Sequence, residues 1–377
     1  MEFLLQITLF LLAAKIGSEL AERVRLPSVL GELLAGMVLG PSLLHLVSPD
    51  PIMGDISQIG IMLLMFLAGL ETDLQEMKRT GSGSLLAAVG GVAVPFLLAF
   101  LLGYFYGWNT VDSLFLGSIL TATSVGITVR VLMDIGKLNT SIGMTILGAA
   151  VIDDVIGIVV FTVVRGISLH EEMSIFGFFK LTGLIALFFI VTLKSGFWVS
   201  DRLDGLTRKL RTREVSLTVS IIFVLILALA AEHAKVAGIT GAFIAGIVMS
   251  RSPRKETLTD KIGTLGYGFF VPLFFVYIGV NTNLADITEI RLAVLVIIVA
   301  IAGKILGSGV MALIGGFSFP DSLRVGIGMV PRMEVALIIA SMGLTAGVMS
   351  PFVYSLTVAL VLVTTLITPL LIRATFR

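Results

Sequence analysis

Cysteine is absent from the 377 residues. Disulfides, thiolate metal sites and cysteine nucleophiles are therefore excluded, while the compartment stays open. Histidine is almost as scarce: His45, His170 and His233 are scattered and make no metal-ligand spacing. No glycine-rich phosphate-binding loop is present, so ATP hydrolysis is not expected of this chain. Charge is the most telling shortage. Only 14% of residues are charged and 56% are hydrophobic, where a soluble domain carries about 25% charged residues. The net charge of +1 implies no polyanionic partner. That balance excludes a soluble enzyme, a disordered regulator and a nucleic-acid binder, and it points to an all-α polytopic membrane protein.

A bilayer core needs about 20 apolar residues of helix. Thirteen stretches qualify: 3–22, 27–47, 55–70, 83–106, 113–133, 139–164, 175–199, 214–231, 237–250, 262–279, 291–316, 322–347 and 352–372. The first has no basic leader or small-residue cleavage site and reads as a retained span. With the N-terminus outside, the inside connections hold Arg23, Arg25, Lys78, Arg79, Lys137, the basic 201–214 loop, Arg251, Arg254, Lys255, Lys261, Arg324, Arg373 and Arg377. The outside connections hold only Arg165, Lys235 and Arg291. This asymmetry orients the chain N-out and C-in, in agreement with an odd span number.

The sequence echoes itself at an offset of 210 residues. Ala21-Glu22-Arg23 meets Ala231-Glu232-His233; Gly31, Ala35 and Gly36 meet Gly241, Ala245 and Gly246; Gly69 to Leu74 meets Gly279 to Leu284. The offset covers seven spans, an odd number, so the two halves are expected to sit in opposite orientation. Inverted repeats are the mark of secondary transporters, whose site lies near the midplane, often at paired interrupted helices. Two such interruptions stand in register. The fifth span carries Thr121-Ala122-Thr123-Ser124-Val125-Gly126, and the twelfth carries Gly328-Met329-Val330-Pro331-Arg332-Met333-Glu334. Breaks expose backbone dipole ends that must be satisfied or line a wet cavity; Arg332 and Glu334 are placed to compensate them.

Ionisable residues at mid-membrane are rare and point to function. Asp153 and Asp154 lie halfway along the sixth span, and Lys304 lies in the eleventh, which has no acid of its own within its apolar stretch. One aspartate is expected to pair with Lys304 and the other to stay free. Burial and a nearby ammonium act in opposite senses on a carboxyl's proton affinity, so the free aspartate can hold a proton or a small hard cation, not both. A lysine deprived of its aspartate by a cation can release a proton. Competition for one site is the essence of antiport. Asp154, Thr123 and Ser124, with exposed carbonyls, are the expected oxygen ligands for Na⁺ or Li⁺. Glu32, near the inner end of the second span, is a candidate at the cavity mouth. Lys15 and Glu19 read as an interfacial i,i+4 pair.

These residues carry a resemblance. Val29-Leu30-Gly31-Glu32-Leu33-Leu34-Ala35-Gly36, Gly40-Pro41, Ala122 to Thr128, Gly148 to Asp154, Lys304 and Pro331-Arg332-Met333-Glu334 together resemble the sodium/proton antiporters of the second cation:proton antiporter family, in the paired-aspartate branch. The resemblance covers essentially the whole chain. It implies a homodimer in the cytoplasmic membrane of a prokaryote, with no cofactor and with Na⁺ and H⁺ as the transported ions. It also implies a division of the chain: residues 1–70 and 214–279 as a dimerisation panel, 83–165 and 290–377 as a moving core, and 175–200 as a linker helix. The position of Asp154 is then the ion site, that of Asp153 pairs with Lys304, and exchange is electrogenic. Met333 departs from the pattern, since many relatives carry glycine there. Potassium-efflux relatives often append a cytoplasmic nucleotide-binding domain, which is not found up to Arg377.

Na⁺/H⁺ exchange is the expected activity, with K⁺/H⁺ exchange as the alternative. A channel needs a continuous polar pore or repeated filter loop, and neither is visible. An intramembrane aspartyl protease needs facing carboxylates, whereas neighbours on one helix point about 100° apart.

Overall fold

The computed structural model describes residues 2–24, 26–48, 50–168, 175–209, 214–281, 290–345 and 347–376. Regular structure among them is helical throughout. The first half contains α1 (Glu2–Arg23), α2 (Ser28–Leu39), α3 (Pro51–Glu71), α4 (Leu74–Arg79), α5 (Gly81–Phe105), α6 (Thr110–Thr121), α7 (Val125–Asp134) and α8 (Ser141–Ser168). A long α9 (Ile175–Lys209) follows. The second half contains α10 (Val215–His233), α11 (Gly238–Met249), α12 (Lys255–Leu265), a π-helical turn at Gly266–Phe270, α13 (Val271–Asn281), α14 (Ile290–Ile314), α15 (Phe319–Gly328), α16 (Glu334–Thr345) and α17 (Pro351–Thr375). Among the described residues nine crossings are long and apolar enough to span a membrane, and four shorter apolar helices accompany them. Each of the thirteen expected stretches overlies one of these.

Local chemistry shifts several boundaries. The second span stops at Leu39, not 47. Gly40 is extended (φ −75°, ψ −172°), because a residue preceding proline is pushed out of the helical region. The third begins at Pro51 rather than 55: the Asp50 carboxylate accepts a hydrogen bond from the Ile52 amide at 2.8 Å, and Pro51 needs no donor in the first turn. The tenth is helical from Lys255, through the amphipathic α12 and the π turn. The basic stretch expected as a 201–214 loop is a continuation of α9 as far as Lys209; Arg211 and Arg213, like the repeat residues Thr282 to Leu284, lie outside the described residues.

The 210-residue echo is also an echo of structure. Ser28–Leu39 and Gly238–Met249 are offset by 210 at both ends. Contacts exchange under the same shift. A Cβ on Gly36 would stand 2.1 Å from the Val276 carbonyl oxygen, and one on Gly246 would stand 2.2 Å from that of Phe66; adding 210 to 36 and subtracting it from 276 converts the first contact into the second. Helix association in a bilayer gains little from the hydrophobic effect and relies on such close backbone approach.

Two groups of helices are held together in this way. In one, α1, α2, α3, α10, α11 and α13 pack on one another; in the other, α5, α6, α8, α14, α15, α16 and α17 do. At the centre of the second group α5 and α14 touch through glycine. A Cβ on Gly90 would lie 2.3 Å from the Gly307 carbonyl oxygen, and one on Gly307 would lie 2.2 Å from that of Gly90. This close approach sets Lys304 deep between the helices.

Candidate functional site

Both interrupted spans are broken where the sequence places them. Between α6 and α7 the chain runs extended through Ala122, Thr123 and Ser124, and between α15 and α16 through Val330 to Met333. The two breaks touch: the Ser124 amide donates to the Pro331 carbonyl at 2.8 Å, and the Thr128 hydroxyl donates to the Gly328 carbonyl at 2.7 Å. Carbonyls at the ends of α6 and α15 have lost their helical partners. The Arg332 guanidinium, fully buried, collects them. It donates to Leu120 at 2.8 Å, Val330 at 2.6 Å, Met329 at 3.1 Å and Pro331 at 3.3 Å. One cation thus neutralises the negative ends of two half-helices. The Thr364 hydroxyl accepts from the Arg332 amide at 3.2 Å, and the Thr365 hydroxyl donates to the Arg332 carbonyl at 3.0 Å. Glu334 begins α16; its side chain lies outside the described residues.

Beside the crossing, Lys304 Nζ donates to Asp153 Oδ1 at 3.0 Å, with the two side chains 0% and 1% exposed. The second Asp153 oxygen, Oδ2, is buried without a hydrogen-bond partner among the described residues. Lys304 also interacts electrostatically with Arg332 and Asp154. Space for the ammonium comes from Gly91, where a Cβ would be 3.4 Å from Nζ and 2.3 Å from the Ser308 hydroxyl. Asp153, Asp154, Lys304 and Arg332 sum to zero formal charge. A cation entering this low-dielectric group unbalances it unless a proton leaves, because an uncompensated buried charge is expensive.

Asp154 is partly exposed where Asp153 is buried. The expectation of a free second aspartate needs correction: Thr240 Oγ1, on α11, donates to Asp154 Oδ2 at 3.0 Å. Thr123 and Ser124 are buried at the break, and their hydroxyls have no hydrogen-bond partner among the described residues. They are hard oxygens available to a cation. Thr121 Oγ1 lies 4.0 Å from where a Cβ on Gly157 would stand, one turn beyond Asp153, which brings the first break alongside the aspartate helix.

A second charged group occupies the seam between the two helix bundles. Arg130 Nε pairs with Asp134 Oδ1 at 3.1 Å, and its guanidinium stacks 4.3 Å above the Tyr267 ring. Ser28 Oγ donates to Asp134 Oδ2 at 3.3 Å. Glu32 is buried; one carboxylate oxygen accepts from Ser18 at 2.9 Å, and the other has no hydrogen-bond partner among the described residues. Arg130 acts on Glu32 electrostatically. A cavity of about 430 Å³ opens here, lined by Glu22, Ser28, Arg130, Asp134 and Arg373 among others. Glu32 lies behind this wall rather than on it. Glu19 pairs with Arg23 at 2.9 Å rather than with Lys15.

Sequence reasoning missed Thr240, the Arg130–Asp134–Tyr267 group and the Thr364–Thr365 pair. Arg130 and Asp134 carried a signal, an i,i+4 ion pair at the end of a span. Thr240 carried none, since a lone threonine in an apolar helix is ordinary.

Comparison with known proteins identifies the family. A family model described as sodium/hydrogen exchanger, transmembrane, matches residues 7–377. The chain is 37% identical over 352 residues to the probable Na⁺/H⁺ antiporter GerT of Bacillus cereus, covering 93% of each protein. It is 36% identical to the Na⁺/H⁺-K⁺ antiporter GerN of the same organism, covering 100% of this chain and 96% of that one. It is 34% identical to a Na⁺/H⁺ antiporter of Enterococcus hirae, covering 99% and 98%. The fold is similar to that of the sodium proton antiporter MjNhaP1 of Methanocaldococcus jannaschii, with a TM-score of 0.71 at 16% identity over 100% of this chain and 97% of that one.

Proposed function

The chain belongs to the sodium/hydrogen exchanger family, and from that membership we propose that it is an integral membrane antiporter exchanging Na⁺ or Li⁺ for H⁺ at Asp154. The observation that carries this reading is the buried Lys304–Asp153 pair next to an accessible second carboxylate, beside two crossed breaks with unused hydroxyls. The family consists of transporters, so the two aspartates act as ion-binding groups and not as catalytic acids.

Asp154 takes either a proton or the cation. Thr123 and Ser124 hydroxyls supply further oxygens, as hard cations require. A cation drawn towards both aspartates loosens Asp153 from Lys304, and the ammonium then gives up a proton. Two proton sites against one cation make exchange electrogenic. Arg332 holds the crossed breaks rigid and does not touch the ion. Arg130 steadies the seam at the cavity mouth with Glu32 behind it, and the arginine-rich end of the bundle faces the cytoplasm.

Transport follows by alternating access, with α5 to α8 and α14 to α17 as the moving core, α1 to α3 and α10 to α13 as the panel, and α9 as the connector. The reading includes a homodimer through the panel. Cysteine-free sequence makes a direct test simple: single cysteines at Leu12 or Leu20, exposed on α1, should crosslink two copies in membranes.

The deciding experiment is cation-dependent dissipation of ΔpH in proteoliposomes with Na⁺, Li⁺ and K⁺ over several pH values. Asp154→Asn is expected to abolish exchange, and full activity in that variant overturns the site. A response to K⁺ alone overturns the ion assignment and favours the K⁺/H⁺ reading, which the name of GerN keeps in view.

A further inference from the structure

We propose that Thr240 is a cation ligand supplied by the static panel, present in only one of the two facing states. The inference rests on the assignment of Asp154 as the ion site.

Most hydroxyls on these helices are turned back on their own backbone. Thr72, Ser220, Thr357 and Thr364 each donate to the carbonyl four residues earlier, which commits their single hydrogen to their own segment. Thr240 departs from this habit. It is 2% exposed, stands in the first turn of α11, and directs its hydroxyl 3.0 Å to Asp154 Oδ2, 86 residues away in sequence. A hydroxyl donates one hydrogen and keeps its lone pairs. It can therefore hold a carboxylate oxygen and at the same time face a hard cation beside it.

The two partners belong to different bundles. Thr240 rides on α11, which packs against α3, α9 and α10; Asp154 rides on α8, which packs against α5, α6 and α15. When the core shifts against the panel, Asp154, Thr123 and Ser124 travel together and Thr240 stays behind. The contact holds at one position of the core against the panel, and the ion there has one protein oxygen more than at the other position. Unequal affinity at the two faces follows from a single hydroxyl.

The test is sided. Right-side-out and everted membrane vesicles give the half-saturating Na⁺ concentration at each face, with orientation defined by labelling a cysteine placed at Ala374. Thr240→Val keeps the shape and removes the hydroxyl. It should raise the half-saturating Na⁺ concentration at one face by roughly three- to ten-fold, the worth of one neutral hydrogen-bonding contact, with less than about a two-fold change at the opposite face. Thr240→Ala should show the same sidedness, and Thr240→Ser should restore the native value. Equal shifts at both faces, no shift, or tighter Na⁺ binding in the valine variant each overturn the proposal. Transport surviving in Asp154→Asn overturns instead the assignment on which it stands.

Discussion

Lys304→Ala tests the charge centre most directly. In the native protein Nζ and Asp153 Oδ1 are 3.0 Å apart and out of solvent. Two unit charges at that distance attract by about 5 kcal/mol at an effective dielectric near 20, most of which offsets the desolvation of both groups. Removing one member is another matter. Asp153 is left buried, with Oδ2 already lacking a partner, while Arg332 is committed to four carbonyls. A stranded buried charge costs about 3–5 kcal/mol, and that is the stability loss expected of Lys304→Ala, beyond its cavity. Asp153→Asn should lose a comparable amount by stranding the ammonium. The double variant removes both charges and strands neither, so it should lie about 3 kcal/mol or more above the sum of the singles. The cavity left by the alanine is common to one single and the double, and cancels. Thermal unfolding of the four proteins in detergent gives the cycle. Charge movement on a supported membrane gives the functional arm, where Lys304→Ala should lose voltage dependence more than transport. Additive singles would refute the pair, and unchanged charge per cation would refute Lys304 as a proton carrier.

Other perturbations probe the neighbouring contacts. Arg332→Gln leaves several carbonyls of α6 and α15 unpaired and should destabilise the fold by about 3 kcal/mol; Arg332→Lys should recover only part, because a point charge cannot span both helix ends. Denaturation midpoints decide, and a glutamine variant as stable as the native protein sinks the capping argument. Gly91→Ala puts a Cβ 2.3 Å from the Ser308 hydroxyl and 3.4 Å from Lys304 Nζ, so it should impair folding and exchange, with partial rescue by Ser308→Ala; full native behaviour of the single variant contradicts the close approach. Competition at the proposed Asp154 site should make the half-saturating Na⁺ concentration rise about tenfold per unit fall in pH where one proton competes, and more steeply where Lys304 supplies a second. Lys304→Ala should bring that slope towards one, and a value independent of pH refutes competition altogether.

Much of the fold is legible in the sequence because a bilayer leaves few choices. Backbone groups in hydrocarbon must be bonded within the segment, so apolar length alone locates the helices, and the thirteen stretches coincide with helices or broken pairs. Their ends are less legible, since ends obey local rules. Gly40-Pro41 cuts α2 short, and Asp50-Pro51 starts α3 early, against the run of hydrophobicity. The charge centre is legible for the same reason as the helices. Asp153, Asp154 and Lys304 are conspicuous in apolar surroundings, although which aspartate pairs with Lys304 followed from resemblance and not from spacing.

What remained hidden depends on contacts between distant segments, and the repeat explains why. The frame is symmetric at an offset of 210, down to the exchanged Gly36 and Gly246 contacts. The chemistry is not. Asp153 and Asp154 correspond to Val363 and Thr364, Lys304 to Val94, Arg130 to Ala340, Glu32 to Ala242, and Thr240 to Leu30. The charges of the centre, and Arg130 and Glu32 at the seam, therefore depart from their mates, whereas Glu22 keeps an acidic mate in Glu232. A symmetric frame permits two facing states related by exchange of the halves; polar groups found in one half only make those states unequal in what they offer an ion. On this argument, positions where one mate is apolar and the other can bond an ion are where sidedness is set. Thr240 against Leu30 is such a position, and it lies on the panel proposed to stay still while the core carries the ion.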